Sequence, residues 1–439
     1  MMSQELARYL LEKLKKENVD DVVISLSSLD NTLIKFYNNK IATTKTWNSK
    51  DLGIFVSIKK RLVSTSLKTF TKEAADSTVK KILAFSKTIL PNEEYNGIAQ
   101  GPFKYKDVQE TYDKKVLDID PVDYVQKGIN IALENNTKRT AGLFETSVAD
   151  VYLLTSNNVE VQEKGTDLYY SIRALVNKEE SGHIVSNSRV LSKLNIEKAS
   201  KKAAYIANLA KNPQHGLPGK YDVVFDHLSF ANIIDNLGYQ FSIYNVESRL
   251  SCLNNKLNKK IASSKLNLYD DATLPNGINS ISFDSEGVPT QKNTLIKNGV
   301  LKTYLHNTST AKKYKTKTTA NAGLVAPHPF NLVIDPGRSK DLISEVKNGI
   351  YITNVWYTRF QNHDTGQFST IPRDGIFYIK NGKIDHPIKD IRVSDNILNL
   401  MKNIKSLSKD QEQIRSWEVD TPCFLPQALI KNVNITKSQ

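Results

Sequence analysis

Leu6, Leu10 and Leu14 recur one helical turn apart among charged residues near the start of the chain, a spacing that predicts an amphipathic helix. The period then shortens. DDVVISL (20–26), NTLIKFYNNKIATTK (31–45) and LGIFVSIKKRLVSTSL (52–67) are rich in β-branched and aromatic residues. They predict a small antiparallel sheet with Asn38-Asn39 as a tight turn. Thr71 is placed to cap a second helix whose apolar positions Ala75, Val79, Ile82 and Leu83 share one face. Pro91 and GIAQGPFKYKD (97–107) then predict a linker.

Asp120 and Pro121 make an N-cap and first-turn pair ahead of Val122, Val125, Ile129 and Leu133, so a helix follows. Residues 140–176 carry strand-like runs broken at Asn157-Asn158 and at Lys164-Gly165, predicting a meander. Ile196, Ala199, Ala203, Ile206 and Ala210 predict a closing helix. PQHGLPG (213–219) sets two prolines and two glycines in seven residues and is the clearest domain boundary. Beyond it YDVVF (221–225) reads as a buried strand and FANIIDNLGYQFSIYNV (230–246) as a helix. Two hairpins, TLIKNGVLKTYL (294–305) and FYIKNGKIDHPI (377–388), each place Asn-Gly between strand runs, the signal for a type I′ turn. Short helices are expected between Ser339 and Gly349 and over 396–408, and PCFLPQALIKNVNI (422–435) is expected to end the chain as a strand. The pattern predicts an α+β fold in three parts. Residues 1–105 and 106–213 form two small sheet-and-helix units of an N-terminal lobe. Residues 214–439 form a mainly antiparallel β domain, curled or barrel-like, with a few helices.

Composition narrows the class. The chain has 439 residues, 60 Lys+Arg against 46 Asp+Glu, a net charge of +14 and 39% hydrophobic residues, which excludes a disordered polyelectrolyte. Cys252 and Cys423 stand far apart with no CxxC partner, so neither a disulfide framework nor a thiolate zinc cluster is available and a reducing cytoplasm is expected. No run of 18 apolar residues occurs, so no membrane span is expected. The basic runs, such as Lys59-Lys60-Arg61 and Lys312-Lys313, are short and scattered, without a nucleic-acid motif, and read as solvated surface.

Catalytic signatures are sparse. There is no GxSxG elbow, no phosphate loop and no GxGxxG, and the seven histidines stand alone rather than in helix-borne pairs. Acidic residues cluster at Asp270-Asp271 and at Asp284-Ser285-Glu286. Asp284 and Glu286 would share one face of a strand, a spacing suited to a hard cation or a proton relay. Turn chemistry is the favoured reading, because Gly287 and Pro289 follow at once.

DDATLPNGINSISFDSEGVPTQKNTLIKNGVLKTYLHNTSTAKKYKTKTTANAG (270–323) resembles the central block of the TldD/PmbA family, in which an "FD-DEGVPT … LI-NGVL … YL-NT-TA-K … T-NA" pattern recurs. PGKYDVVF, NLVIDPG (331–337), the block 349–404 and the ending TPCFLPQALIKNVNI follow in the family's order, and segments of the N-terminal lobe resemble it more loosely. The family, once described as modulators of DNA gyrase, contains two kinds of subunit. The TldD kind holds zinc on a HExxxH helix, with a cysteine further on; the TldE/PmbA kind lacks that motif and pairs with a TldD-like partner.

Placing the helix after YDVVF over the metal helix puts Asp235-Asn236-Leu237-Gly238-Tyr239-Gln240 at the HExxxH position. Asp235 could ligate zinc, but Gln240 is a feeble ligand and Asn236 cannot act as a general base. The resemblance therefore implies a TldE/PmbA-type subunit with no catalytic or metal-ligating residue and no cofactor in this chain, zinc residing in a TldD-like catalytic partner that acts on peptides. A homodimer is an option for the isolated chain. Asp235, Gln240, Asp284, Glu286, His306 and His363 are left as cleft or partner-facing candidates. Cys423 lies in TPCFLP, which resembles the closing strand of the PmbA kind, where the cysteine is no ligand. Two alternatives stay open: a metallopeptidase site assembled from His306, His363, Asp284 and Glu286, and a nucleic-acid-associated role suggested by the net charge of +14.

Overall fold

In the computed structural model, which describes residues 3–177 and 180–438, helix α1 (Ser3–Lys15) buries Leu6, Leu10, Leu11 and Leu14 as its spacing predicts. Strands β1 (Asp21–Tyr37) and β2 (Lys40–Ile58) are far longer than their apolar runs. They pair without a break from Asp21↔Ser57 to Lys35↔Thr43, so the polar residues between the runs belong to strands whose outer faces meet solvent. Asn38 and Asn39 turn the hairpin with φ of 49° and 64°, the left-handed pair a type I′ turn requires. β3 (Arg61–Leu67) completes the meander, and Thr71 caps α2 (Lys72–Ser86) by accepting the Ala74 N–H. Asp120 caps α3 (Pro121–Glu134) in the same manner.

Next come β4 (Arg139–Thr155), β5 (Glu160–Leu175), β6 (Ser181–Ser188) and α4 (Ile196–Leu209). β1 pairs with β4 from Val23↔Thr155 to Tyr37↔Ala141, so the strands of residues 21–67 and 139–188 form one six-stranded sheet, β3-β2-β1-β4-β5-β6. Sequence pattern cannot show that pairing, because it joins residues more than a hundred positions apart. Lys164-Gly165 is no turn: Gly165 sits within β5 opposite Ala149. A Cβ there would lie 2.0 Å from Arg189 Nη2, so the glycine makes room for a guanidinium. Even-numbered β1 residues such as Ile24, Ile34 and Phe36 face the helices, while odd-numbered ones face the rest of the molecule.

The remaining elements are β7 (Gln214–His215), β8 (Gly219–Phe225), α5 (His227–Gly238), α6 (Ile243–Glu247), β9 (Leu268–Asp271), β10 (Lys292–Lys297), β11 (Val300–Leu301), α7 (Thr308–Lys313) and β12 (Leu332–Ile334). They continue with β13 (Asn348–Asn362), β14 (Gln367–Lys380), β15 (Lys383–Lys389), β16 (Ile391–Asn396), α8 (Ile397–Lys402), β17 (Ile404–Leu407), β18 (Glu412–Ser416), β19 (Val419–Leu425) and β20 (Ala428–Lys437). β13, β8, β20, β16 and β14 pair in that order, and β13 also pairs β14, closing a five-stranded barrel-like ring. A second sheet runs β11-β10-β9-β12-β19-β18. Both Asn-Gly hairpins form as expected, with positive φ at Asn298-Gly299 and Asn381-Gly382.

Four local expectations change. Between Ser339 and Gly349 only a single 3-10 turn forms, at Ile343–Glu345. The helix expected over 396–408 ends at Lys402, because Ile404–Leu407 pairs with β20. Pro426 separates β19 from β20, which lie in different sheets, so the chain ends in two strands rather than one. The apolar run after β8 makes α5, a 3-10 turn at Tyr239–Phe241 and then α6.

Candidate functional site

Helix α5 is buried nearly all round: of its residues only Asn236 is not buried, and His227, Ser229, Asn232 and Asp235 are buried polar groups. It packs between β13 of the ring and β19 of the second sheet, which leaves it almost no exposed face. Near its C-terminal end Asp235 Oδ2 accepts the Asp420 N–H and Oδ1 accepts the Thr421 N–H, both at 3.0 Å. Burial pushes its pKa up to about 6 against the pull of those Thr421 and Asp420 bonds. Gln240, also buried, accepts the Cys252 N–H on Oε1 at 3.0 Å, and its carbonyl accepts the Ser251 hydroxyl at 2.6 Å. Asn236 donates to the Asn232 carbonyl at 2.8 Å. The Cys423 thiol is buried beside the Ala231 and Thr421 carbonyls, and burial raises its pKa well above the usual thiol range.

A catalytic zinc needs three donors with free lone pairs converging on one point, plus an open position for water. Here the lone pairs are committed to the backbone of β19 and of the Ser251-Cys252 segment, and the thiol is kept protonated. Among the described residues no group of three or more His, Cys, Asp or Glu side chains is arranged to hold a metal ion. Asp235 and Gln240 do not fit zinc; they tie the helix to its neighbours.

The other candidates fall in two places. Asp284 turns the Ser285–Val288 segment by accepting the Glu286 and Val288 N–H groups on Oδ1, and it accepts the Ala322 N–H on Oδ2. Gly287 stands at φ 79° where a Cβ would meet Val159 at 2.4 Å, so this turn presses against the tip of the β4–β5 hairpin. Glu286 is buried beside it, and burial together with the Asp284 charge raises its pKa. One Glu286 oxygen has no partner; Thr308 and the Ala99 backbone face the carboxyl. His306, two residues before Thr308, is buried with Nδ1 unpaired, and burial lowers its pKa to about 4, so the ring is neutral. The structure thus brings Asp284, Glu286 and the His306–Thr308 segment to one junction with the linker. Asp235 and Gln240 lie at α5 instead, and His363 lies on the exposed end of the β13–β14 hairpin, 4.9 Å from the Phe360 ring.

A cleft of about 420 Å³ opens where the odd-numbered face of the six-stranded sheet β3-β2-β1-β4-β5-β6 meets β18 and β19. Leu29, Asn31, Glu145, Ser147, Asp167 and Tyr169 line one wall, all odd-numbered and in register on adjacent strands: Asn31↔Ser147, Ser147↔Asp167 and Glu145↔Tyr169. Arg415, Trp417, Val419 and Asp420 line the other, and Asp420 connects it to Asp235 through the backbone bond just described. Arg415 pairs with Asp167 and lies 5.2 Å from the Tyr169 ring centroid. Trp417 is 52% exposed and meets Trp356 edge-on at 5.2 Å.

Two ionic groups tie the N-terminal lobe to the C-terminal domain. Asp374 accepts Arg173 Nε at 2.8 Å, the Ser181 hydroxyl at 2.7 Å and Asn354 Nδ2 at 2.9 Å, and the Arg173 guanidinium stacks 4.3 Å over Trp356. Although burial opposes it, Lys202 together with His227 and Gln427 holds Asp226 well below the usual carboxylate range at the start of α5. None of the cleft residues forms a local motif. The only sequence signal for them is alternation along strands whose register is invisible until the sheet is assembled.

Comparison with known proteins agrees with this architecture. Residues 218–437 match the family model described as PmbA/TldA metallopeptidase C-terminal domain. An uncharacterised protein of Methanocaldococcus jannaschii is 30% identical over 336 residues, covering 74% of this chain and 78% of that protein. The metalloprotease TldD homolog of Buchnera aphidicola subsp. Acyrthosiphon pisum is 31% identical over 227 residues, covering 49% of this chain and 46% of its own length. The chain thus spans about half of that named metalloprotease. TldE from Thermococcus kodakarensis superposes with a TM-score of 0.87 at 22% identity, over 98% of this chain and 100% of that one. The chain belongs to the PmbA/TldD family of metallopeptidases.

Proposed function

We propose that this chain is the non-catalytic, TldE/PmbA-type subunit of a cytoplasmic zinc-dependent peptidase, completed by a TldD-like subunit that carries the HExxxH helix. The observation that carries the reading is the state of α5. Asp235 and Gln240, at the two ends of the position where the metal motif would lie, spend their oxygens on the backbone N–H groups of Asp420, Thr421 and Cys252. A helix so committed contributes packing and cleft shape, not water activation. The alternative metal site from His306, His363, Asp284 and Glu286 is disfavoured because Asp284 is spent on a turn and His363 stands apart on an exposed hairpin.

The test is to purify the chain alone and together with a TldD-like HExxxH protein from the same source, then measure zinc per protomer and hydrolysis of an unfolded polypeptide. The isolated chain should carry near-zero zinc and be inert, and the mixture should hydrolyse peptide until a chelator is added. About one tightly held zinc in the isolated chain, with hydrolysis, would overturn the assignment.

A further inference from the structure

The cleft between the sheet and β18 and β19 is acidic, on a chain whose net charge is +14. Glu145, Asp167 and Asp420 line it against a single guanidinium, Arg415. It is also short of donors. Asn31, 5% exposed, has Oδ1 unpaired, and so does Asp167 at its Oδ1. The Asn31 amide cannot simply be turned round, because its Nδ2 donates to Glu145 Oε1; the atom left for a ligand is an acceptor. Beside Arg415, the buried Asn187 repeats the pattern, with Nδ2 given to the Arg415 carbonyl at 3.0 Å and Oδ1 unpaired.

Buried acceptors without partners cost free energy, and the group that relieves them must bring N–H donors. Negative charge in the same walls selects a cationic donor, and aromatic faces favour one too. Arg415 over Tyr169 already shows a guanidinium seated on an aromatic ring in this cleft, and Trp417 offers a second, exposed ring. A second cavity of about 390 Å³ shares Leu29, Ser147 and Asp167 with the first, so the cleft continues as a groove along the sheet, the shape an extended chain requires.

We propose that this groove binds an extended peptide through a cationic group, a guanidinium or ammonium, held by Glu145, Asp167 and Asn31 against Trp417. The proposal rests on the peptide-processing reading and names its substrate class: peptides with an Arg or Lys side chain or a free amino terminus.

Three alanine-rich octapeptides test it on the isolated full chain by calorimetry and tryptophan fluorescence. One has capped ends and a central Arg, one has capped ends and citrulline in place of Arg, and the third is the citrulline peptide with a free amino terminus. The Arg peptide, the free-amine peptide or both should bind about ten-fold more tightly than the capped citrulline peptide, and which of them does so identifies the source of the cation. Glu145→Gln should reduce that preference to about two-fold or less. If its melting temperature shows that Glu145→Gln does not fold, Asp167→Asn serves instead. Equal binding of all three peptides, or a preference that survives both substitutions, would overturn the proposal. The assay needs neither partner nor hydrolysis. Its failure leaves the subunit assignment standing, and an isolated chain that holds zinc and cleaves peptide would sink that assignment without touching this result.

Discussion

Asp235→Asn isolates the feature on which the functional reading depends. The wild-type carboxyl is 4% exposed, and burial raises its pKa to about 6. The native state therefore holds this proton more tightly than the unfolded chain, whose carboxyl titrates near the ordinary value of about 4. Its contribution to stability is fully present below about pH 4, declines as pH rises to about 6 and is constant beyond. At about 1.4 kcal/mol per pH decade, the two decades amount to about 3 kcal/mol. Asparagine keeps one oxygen for the Thr421 N–H and cannot ionise. At pH 4 the two proteins should differ by about 1 kcal/mol or less, the scale of one altered hydrogen bond. At pH 7 the variant should gain about 3 kcal/mol relative to wild type compared with that starting point. Urea titrations followed by tryptophan fluorescence at both pH values measure the difference, and titrations common to both proteins cancel. A difference that stays constant with pH would refute the picture of a buried carboxylate clamping β19, and with it the argument that this position is closed to metal.

Asp374→Ala removes the acceptor shared by Arg173, Ser181 and Asn354 and leaves the Arg173 guanidinium without its carboxylate. Stability should fall by about 2–3 kcal/mol, seen as a lowered melting temperature; an unchanged one would show that Asp374 does not hold these donors. Gly165→Ala places a Cβ 2.0 Å from Arg189 Nη2 and displaces a guanidinium that donates to the Thr111, Thr166, Ile278 and Ser280 carbonyls. The cost should be at least about 2 kcal/mol in wild type and close to nothing in an Arg189→Met background, a coupling that a double-mutant cycle reads directly. Additive effects would mean that the glycine serves some other purpose.

The sequence alone determined the elements whose instructions are local. Leu6, Leu10 and Leu14 mark one helix face, Thr71 and Asp120 cap helices within two or three residues, and Asn-Gly turns depend on the φ values of two residues. The ordered motif through 270–323 carried the family, and the substitutions at 235–240 raised the question of the missing metal. Strand extent was harder to read, because on a sheet with one solvated face polar residues no longer mark a strand's end. Gly165 misled for a related reason: its neighbour Arg189 reaches it only in the folded chain.

Tertiary structure alone decided the rest. It joined β1 to β4 into one sheet, bent 404–407 from helix into strand, and gathered Asn31, Glu145, Asp167, Arg415 and Trp417 from separate strands into one cleft. It also decided what Asp235 and Gln240 do, since the N–H groups that occupy them come from residues 420, 421 and 252. Caps and turns are specified within a few residues of chain. Clefts, clamps and register depend on contacts between segments far apart in sequence, which exist only once the chain has packed.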